Sequence, residues 1–479
     1  MCCACAQSFD TILWGFIMAF ISLSNVSFGY DADDNLLDAV SCVFSSSECV
    51  AVVGDNGAGK STLLRLLSGD LLPDSGAIVK NANVYMVGQI NAVDSKSGGE
   101  TQMDVLARAF DSRAEILLLD EPTNNLDADA RAQFFDALSS YPFGTVIVSH
   151  DRELLRRVDK IIELNNGKIH VYGGNYDFWV AQKLAERANI QSRYVGANKE
   201  ISRLMGTLNI AQNTRQHHDA KQKKDKANQA SGSRIEANAL KGKSQETEAK
   251  KRAIIQKKLD AQFATRQELS EFMRDEKIKI PVPNKSFYSK ELVRISGLNF
   301  SYGDRQIFNE FDFIMYGATR VRIVGKNGAG KTTLLKLICG NLQPQLGLVR
   351  TFGKIAYLNQ DLSLLDKNKS VVENIMDVAG VLKHDAHAIA ANFGFRGDAS
   401  KKRVVLLSGG ELLKATLAAV LGGEEQPDLL ILDEPTNNLE IKSLGILEDA
   451  LNQYRGAILL VSHDEMFAKN INIDDALYL

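Results

Sequence analysis

Short apolar runs, bounded by glycine or by charge, recur along the chain and read as buried β-strands. Cys49–Val53 and Val321–Val324 each lead into a glycine-rich turn, followed by apolar residues at helical spacing, Thr62–Leu67 and Thr333–Ile338. Ile116–Leu119 and Leu429–Leu432 each end in Asp-Glu, and Thr145–Val148 and Ile458–Val461 each end in Ser-His-Asp. Met18-Ala-Phe-Ile-Ser-Leu reads as a first strand. Strands alternating with helices predict an α/β fold. The stretch between the two sets has a different pattern. Leu204, Leu208, Ile254, Ile255, Leu259 and Leu269 recur at loosely helical spacings, and the centre from Lys221 to Lys243 is polar and contains Ser-Gly-Ser. This predicts two long charged helices with a loose turn between them, closed by Pro281 and Pro283.

The two sets are one unit repeated. Gly54-Asp55-Asn56-Gly57-Ala58-Gly59-Lys60-Ser61-Thr62 returns 271 positions later as Gly325-Lys326-Asn327-Gly328-Ala329-Gly330-Lys331-Thr332-Thr333, and Gln89 returns as Gln360 at the same offset. Ser97-Gly98-Gly99-Glu100 returns as Ser408-Gly409-Gly410-Glu411 at an offset of 311. The stretch from Asp120 to Leu126 returns as Asp433 to Leu439, and Ser149-His150-Asp151 as Ser462-His463-Asp464, both at 313. The expected organisation is an extension over 1–17, a first unit over 18–180, a basic helical linker over 181–289 and a second unit over 290–479.

Composition changes this picture in one place. The 479 residues carry 56 Lys+Arg against 59 Asp+Glu, a net charge of -3, and the apolar share of 45% is that of a globular protein. Residues 181–280 hold 22 Lys+Arg and 12 Asp+Glu, a local net of +10, so the other 379 residues carry -13. The near-neutral total therefore hides a basic segment suited to a polyanion such as RNA. Its candidate contacts are Lys221, Lys223, Lys224, Lys226, Lys241, Lys243, Lys250, Lys251 and Arg252. Six scattered cysteines make no disulfide framework and point to a reducing, cytoplasmic compartment. Cys2, Cys3 and Cys5 lack a partner cluster for a metal. The apolar run Ile12–Ile21 is too short to span a bilayer and lacks a basic flank, so no integral membrane segment is expected.

The repeated motifs carry phosphate chemistry. Gly-x-x-x-x-Gly-Lys-Ser/Thr between a strand and a helix is a P-loop: its backbone N–H groups and the helix N-terminus cradle phosphates. Lys60 and Lys331 reach the β- and γ-phosphates, and Ser61 and Thr332 offer hydroxyls to Mg²⁺. The strands ending in Asp-Glu place Asp120 and Asp433 at the metal, and Glu121 and Glu434 where they can polarise the attacking water. His150 and His463, repeated at the offset of the Asp-Glu pairs, read as γ-phosphate contacts.

Together the P-loop, Gln, Ser-Gly-Gly-Glu, Asp-Glu-Pro-Thr and Ser-His-Asp motifs resemble the ATP-binding cassette ATPases over about residues 18–180 and 290–479. The resemblance implies two head-to-tail cassettes, each ATP lying between one P-loop and the other cassette's signature, Ser97-Gly98-Gly99 or Ser408-Gly409-Gly410. It also implies that Tyr30 and Tyr302 stack on adenine and that Gln89 and Gln360 approach Mg²⁺. Two cassettes in one chain with a charged linker look like the ABC-F subfamily. So do the Asn124-Asn125-Leu126-Asp127 stretch and Gly173-Gly174-Asn175-Tyr176 before the linker. That resemblance implies a monomeric cytoplasmic ATPase, paired within one chain, that binds the ribosome and places its linker near rRNA and tRNA in translation, ribosome assembly or antibiotic protection. Other readings are an ATP-binding subunit of a membrane transporter, a decayed non-hydrolysing paralogue, and a DNA-repair ATPase, which needs a longer coiled coil.

The first cassette departs from the pattern. Seven residues separate Gln89 from Ser97, against 47 between Gln360 and Ser408, so the first copy lacks the helical subdomain that the second holds there. Eight peptide steps reach at most about 28 Å. Polar Thr101-Gln102-Met103-Asp104 stands where copy two has Leu412-Leu413-Lys414-Ala415, and a helix there is expected to turn Met103 and Leu106 inward. Glu440 replaces the usual Asp, which Asp127 keeps. The expectation is an impaired site at Lys331, Glu434 and Ser97, and a complete one at Lys60, Glu121 and Ser408.

Overall fold

A computed structural model describes residues 19–30, 35–89, 98–124, 126–228, 250, 253–270, 278–281, 290–359, 362–437, 439–473 and 475–479. In the first cassette, β1 (Phe20–Phe28), β2 (Leu37–Ser45) and β4 (Ser75–Lys80) form an antiparallel sheet of order β2-β1-β4. Its main sheet holds β3 (Cys49–Gly54), β5 (Val84–Val87), β6 (Ile116–Asp120), β7 (Gly144–Val148), β8 (Lys160–Asn165) and β9 (Lys168–Tyr172), in the order β5-β6-β7-β3-β8-β9. All its pairings are parallel except the β8–β9 hairpin. The helices are α1 (Lys60–Ser68), α2 (Gly98–Asp111), α3 (Ala128–Ser140) and α4 (Arg152–Leu155), and α5 (Tyr176–Asn228) follows the hairpin. Strands β6 and β7 are buried along their whole length. Strands covered on both faces read as unbroken apolar runs, which is why they were legible.

After α5 comes α6 (253–270). The second cassette repeats the first: β10 (Glu291–Tyr302), β11 (Arg305–Tyr316) and β13 (Leu346–Thr351) form the antiparallel sheet, order β11-β10-β13. β12 (Arg320–Val324), β14 (Ile355–Leu358), β15 (Leu429–Asp433), β16 (Ala457–Val461) and β17 (Asp475–Tyr478) form the parallel one, order β14-β15-β16-β12-β17. Both main sheets place the P-loop strand, β3 or β12, directly beside the strand that ends at the histidine. The helices are α7 (Lys331–Ile338), α8 (Val371–Ala379), α9 (Lys383–Asn392), α10 (Gly409–Leu421), α11 (Ile441–Gln453) and α12 (Glu465–Asn470).

The cassettes differ where the repeat offset jumps. In the second, α8 and α9 pack on α10 through Val371, Ile375, Ala386, Ala390, Phe393 and Leu417, all almost fully buried. In the first, α2 has no counterpart of α8 and α9 among the described residues and packs on α3 and β5. Gln102, rather than Met103, is its buried residue near the start, and Leu106 is buried as expected. The Gln102 Nε2 donates to the Pro122 carbonyl at 2.9 Å, which makes burying an amide tolerable. The strand expected from Met18 begins at Phe20.

Residues 178–276 form a separate unit. Within it α5 and α6 pack through Ile201, Leu204 and Leu259, flanked by Leu208, Ile255 and Phe263. Ile254, grouped with these from its spacing, is exposed. The 53 residues of α5 make the first arm roughly 80 Å long, beyond the 45–70 Å that equal arms imply. It is longer because the helix begins at Tyr176 and continues into the polar centre. Lys221, Lys223, Lys224 and Lys226 lie on α5, and Lys250 is exposed. Lys241, Lys243, Lys251 and Arg252 lie outside the described residues, as do Cys2, Cys3, Cys5 and the extension over 1–17. Among the described residues no helix is long and apolar enough to cross a membrane, and no cluster of His, Cys, Asp or Glu could hold a metal.

Candidate active site

Both P-loops bend at the C-terminal end of a parallel strand, where α/β sheets place ligands. Gly59 and Gly330, the residues before α1 and α7, have φ of 98° and 100°, a left-handed conformation that a side chain resists. A Cβ at Gly59 would also meet Leu36 at 2.9 Å, and one at Gly330 would meet Ile307 at 2.4 Å. Lys60 Nζ donates to the carbonyls of Gly54 (2.9 Å) and Asp55 (3.1 Å), and Lys331 Nζ to those of Gly325 (2.6 Å) and Lys326 (3.2 Å). Burial holds both ammonium groups below the ordinary lysine range, opposed by nearby carboxylates. In the second cassette Tyr302, Asn327, Gly328, Gly330, Lys331, Thr332, Thr333, Asp433 and Glu434 line a cleft of about 430 Å³. Tyr302 is 50% exposed at its rim, and its counterpart Tyr30 is 62% exposed and bonds through its hydroxyl to Thr62 Oγ1 (3.2 Å).

The hydroxyl and carboxylate expected at the metal are together in each cassette: Asp120 is hydrogen-bonded to Ser61, and Asp433 to Thr332. Side-by-side hard oxygen donors suit Mg²⁺. Tyr357 also donates to Asp433 Oδ2 at 2.9 Å. The corresponding residue of the first cassette is Met86, so Asp120 is free of that tie. Gln89 is exposed just beyond β5. Gln360 and Ser97 lie outside the described residues, whereas Gly98 and Gly99 open α2.

Glu121 and Glu434 share an unusual backbone. Their φ values are 49° and 48°, uncommon for glutamate, and each N–H donates across to the strand ahead of the histidine, at Val148 O (2.9 Å) and Val461 O (2.8 Å). Sequence reasoning missed this strain, since nothing in Asp-Glu-Pro signals a left-handed glutamate. Burial pushes the Glu121 carboxyl up to about 8 and the Glu434 carboxyl to about 7, with Lys60 and Lys331 opposing. Burial and the same lysines push His150 down to about 3 and His463 to about 4. The 3.5 Å contacts from His150 Nε2 to Glu121 and from His463 Nε2 to Glu434 therefore involve neutral imidazoles at neutral pH.

These values set a pH dependence. The carboxylate form of Glu121 grows as pH rises through about 8. If Glu121 is the base, kcat/KM for ATP should climb with pH toward a midpoint near that value, and Glu121→Gln should lose the limb. A flat profile from pH 6 to 9 in the parent would exclude the assignment. The same raised pKa means the folded chain holds this proton more tightly than the unfolded one. Its contribution to stability therefore declines from pH 4.5 upward and levels off above about 8.

The cassettes meet head to tail at these loops. Asn56 N–H donates to Glu440 Oε1 (2.5 Å), and Asn327 N–H to Asp127 Oδ2 (3.3 Å). Asp127 also caps α3 by accepting from Ala130 N, whereas Glu440 makes no cap to α11. The glutamate reaches the opposite loop without capping its own helix, whereas the aspartate does both, a difference that sequence position alone did not reveal. A Cβ at Gly409 would lie 3.8 Å from Asn56 Nδ2, so the second signature stands against the first P-loop. Ser408 and Glu411 form a capping box that fixes the start of α10. Arg131 donates to Asp151 Oδ1 (2.5 Å) and, across the boundary, to the His463 carbonyl (3.2 Å). Arg152 holds Glu448 with both terminal nitrogens, at 2.6 and 3.3 Å.

The profile of the family described as ABC transporter matches residues 37–96 and 308–437. The chain is 28% identical to the ATP-binding protein Uup of Haemophilus influenzae, over 95% of this chain and 78% of Uup. It is 28% identical to the ribosome protection protein VmlR of Bacillus subtilis, over 93% of this chain and 84% of VmlR. The solved RNase-L Inhibitor structure superposes with a TM-score of 0.55 at 17% identity, covering 95% of this chain and 87% of that one, a likeness of fold. With its repeated motifs and paired sheets, the chain belongs to the ATP-binding cassette family, as a tandem-cassette member of the ABC-F subfamily.

Proposed function

We propose that the chain is a cytoplasmic ATPase that works on the ribosome as a monomer, its two cassettes closing on ATP and its basic linker contacting rRNA and tRNA. The observation that carries the ATPase part is the apposition of Asn56 and Gly409, which brings the second signature to the first P-loop. In this reading the loops Gly54–Thr62 and Gly325–Thr333 bind the phosphates through N–H groups and Lys60 or Lys331. Ser61, Asp120 and Gln89, or Thr332, Asp433 and Gln360, hold Mg²⁺, which when bound neutralises phosphate charge. Glu121 takes a proton from the attacking water, His150 orients beside it, and the N-terminus of α10 faces the γ-phosphate. Tyr30 and Tyr302, exposed at the loop rims, stack on adenine. The domain limits at 18–180, 181–289 and 290–479 belong to this proposal.

The site of Lys60, Glu121 and Ser408 is the working one, and that of Lys331, Glu434 and Ser97 is impaired. Support comes from Tyr357 on Asp433 and from α2, which has no counterpart among the described residues of the helices that brace α10. The ribosome part rests on the +10 linker and on similarity to a protein named for ribosome protection. A Glu121→Gln, Glu434→Gln variant should pellet with ribosomes in the presence of ATP, less so as salt rises. Failure to pellet at low salt with ATP would refute the ribosome reading.

A further inference from the structure

The two P-loops carry opposite charges at one position of the repeat. Asp55 in the first loop corresponds to Lys326 in the second, 271 residues on. The residues they meet across the cassette boundary are also a repeat pair with opposite charges: Lys442 and Asp129, 313 residues apart. Lys442 Nζ contacts both carboxylate oxygens of Asp55, at 2.9 and 3.0 Å. Lys326 Nζ contacts Asp129 Oδ2 at 2.7 Å. The two contacts are related by the pseudo-twofold of the cassettes, but their polarity is reversed.

That reversal makes the boundary selective. If two first cassettes from different chains paired in this geometry, Asp55 of each would face Asp129 of the other. Two second cassettes would set Lys326 against Lys442. The buried contact Arg152–Glu448 follows the same logic, because the repeat places Phe135 at the Glu448 position and Glu465 at the Arg152 position. Like second cassettes would then bring Glu465 to Glu448, and like first cassettes would leave Arg152 facing Phe135. Mismatched charge of this kind rejects wrong partners more strongly than matched charge adds affinity.

We propose that Asp55, Lys442, Lys326 and Asp129 form a charge code that directs a first cassette onto a second and excludes pairing of like cassettes between chains. Both pairs are exposed, so each alone shifts an equilibrium only about two- to fivefold. The code acts because both pairs reverse together in a wrong assembly, and because it works in the encounter of open cassettes, where salt screens it.

The test uses the full chain in a Glu121→Gln, Glu434→Gln background, with weight-average mass read by light scattering in low salt with ATP. The double variant Lys442→Asp, Asp129→Lys makes both intramolecular contacts repulsive and both like-cassette contacts attractive. It should form an ATP-dependent species of at least two chains. Adding Asp55→Lys and Lys326→Asp restores opposite charges within the chain and should return it to single-chain mass. Those two changes only exchange residues that the two P-loops already accommodate, and ATP-induced thermal stabilisation of the fourfold variant reports that its loops still bind. With hydrolysis restored, the double variant should lose about tenfold in ATP turnover at low salt, with the gap narrowing at high salt. A double variant that keeps single-chain mass with ATP overturns the proposal, as does a fourfold variant that binds ATP yet stays assembled.

Discussion

Glu121→Gln should lower steady-state ATP turnover by about a hundredfold or more, while Glu434→Gln should leave most of it. The physical case is the unequal completion of the two sites. Around Glu121, the second signature is held by a capped helix, α10, braced by α8 and α9, and it reaches the first P-loop at Asn56. Asp120 there is hydrogen-bonded by the hydroxyl that shares its proposed metal role, and the Tyr357 position of the repeat holds Met86. Around Glu434, the signature must come from α2, which has a buried glutamine in place of a leucine and is packed on its own cassette at β5 and α3. Asp433 is held by the Tyr357 hydroxyl as well as by Thr332. Phosphate release by the two single variants, each compared with the parent, decides the matter. Equal losses would mean that both sites turn over and that the shortened first cassette still delivers its signature.

Arg152→Ala should be the most destabilising single change at the cassette boundary. Arg152 is 6% exposed and Glu448 13%, so removing the arginine leaves a confined carboxylate with Asn470 Nδ2 as its remaining hydrogen-bond donor among the described residues. Breaking a buried pair from one side typically costs about 3 kcal/mol or more. For a folding unit of cassette size this lowers the melting midpoint by roughly 5 to 10 °C. The double change Arg152→Met, Glu448→Leu removes both charges and should recover most of the loss, because desolvation of the pair offsets much of its attraction. Scanning calorimetry of the three proteins is the check, and an Arg152→Ala variant that melts with the parent would rule the contact out as structural.

The parallel strands and the P-loops were legible because buried strands announce themselves as apolar runs and because Gly59 and Gly330 stand where no other residue fits. The repeat did the rest, matching Asp120 to Asp433 and His150 to His463. What escaped the sequence depended on residues distant in the chain. Gln102 reads as polar and surface-seeking, yet it turns inward because the Pro122 carbonyl awaits it. Glu440 reads as a conservative change from aspartate, yet it reaches Asn56 without the helix cap that Asp127 keeps beside its own bond to Asn327. The left-handed backbone of Glu121 is imposed by its bond to the neighbouring strand, which no local pattern encodes. The Tyr357–Asp433 contact depends on strand pairing between β14 and β15, and spacing alone could not assign it.

Arg131 ties the two halves mechanically in series. Its guanidinium grips Asp151, directly after His150, and the backbone of His463 in the opposite cassette. Parting the cassettes at the His463 loop breaks a contact of the same guanidinium that holds Asp151. One side chain thus joins the loop after the first histidine to the loop that carries the second.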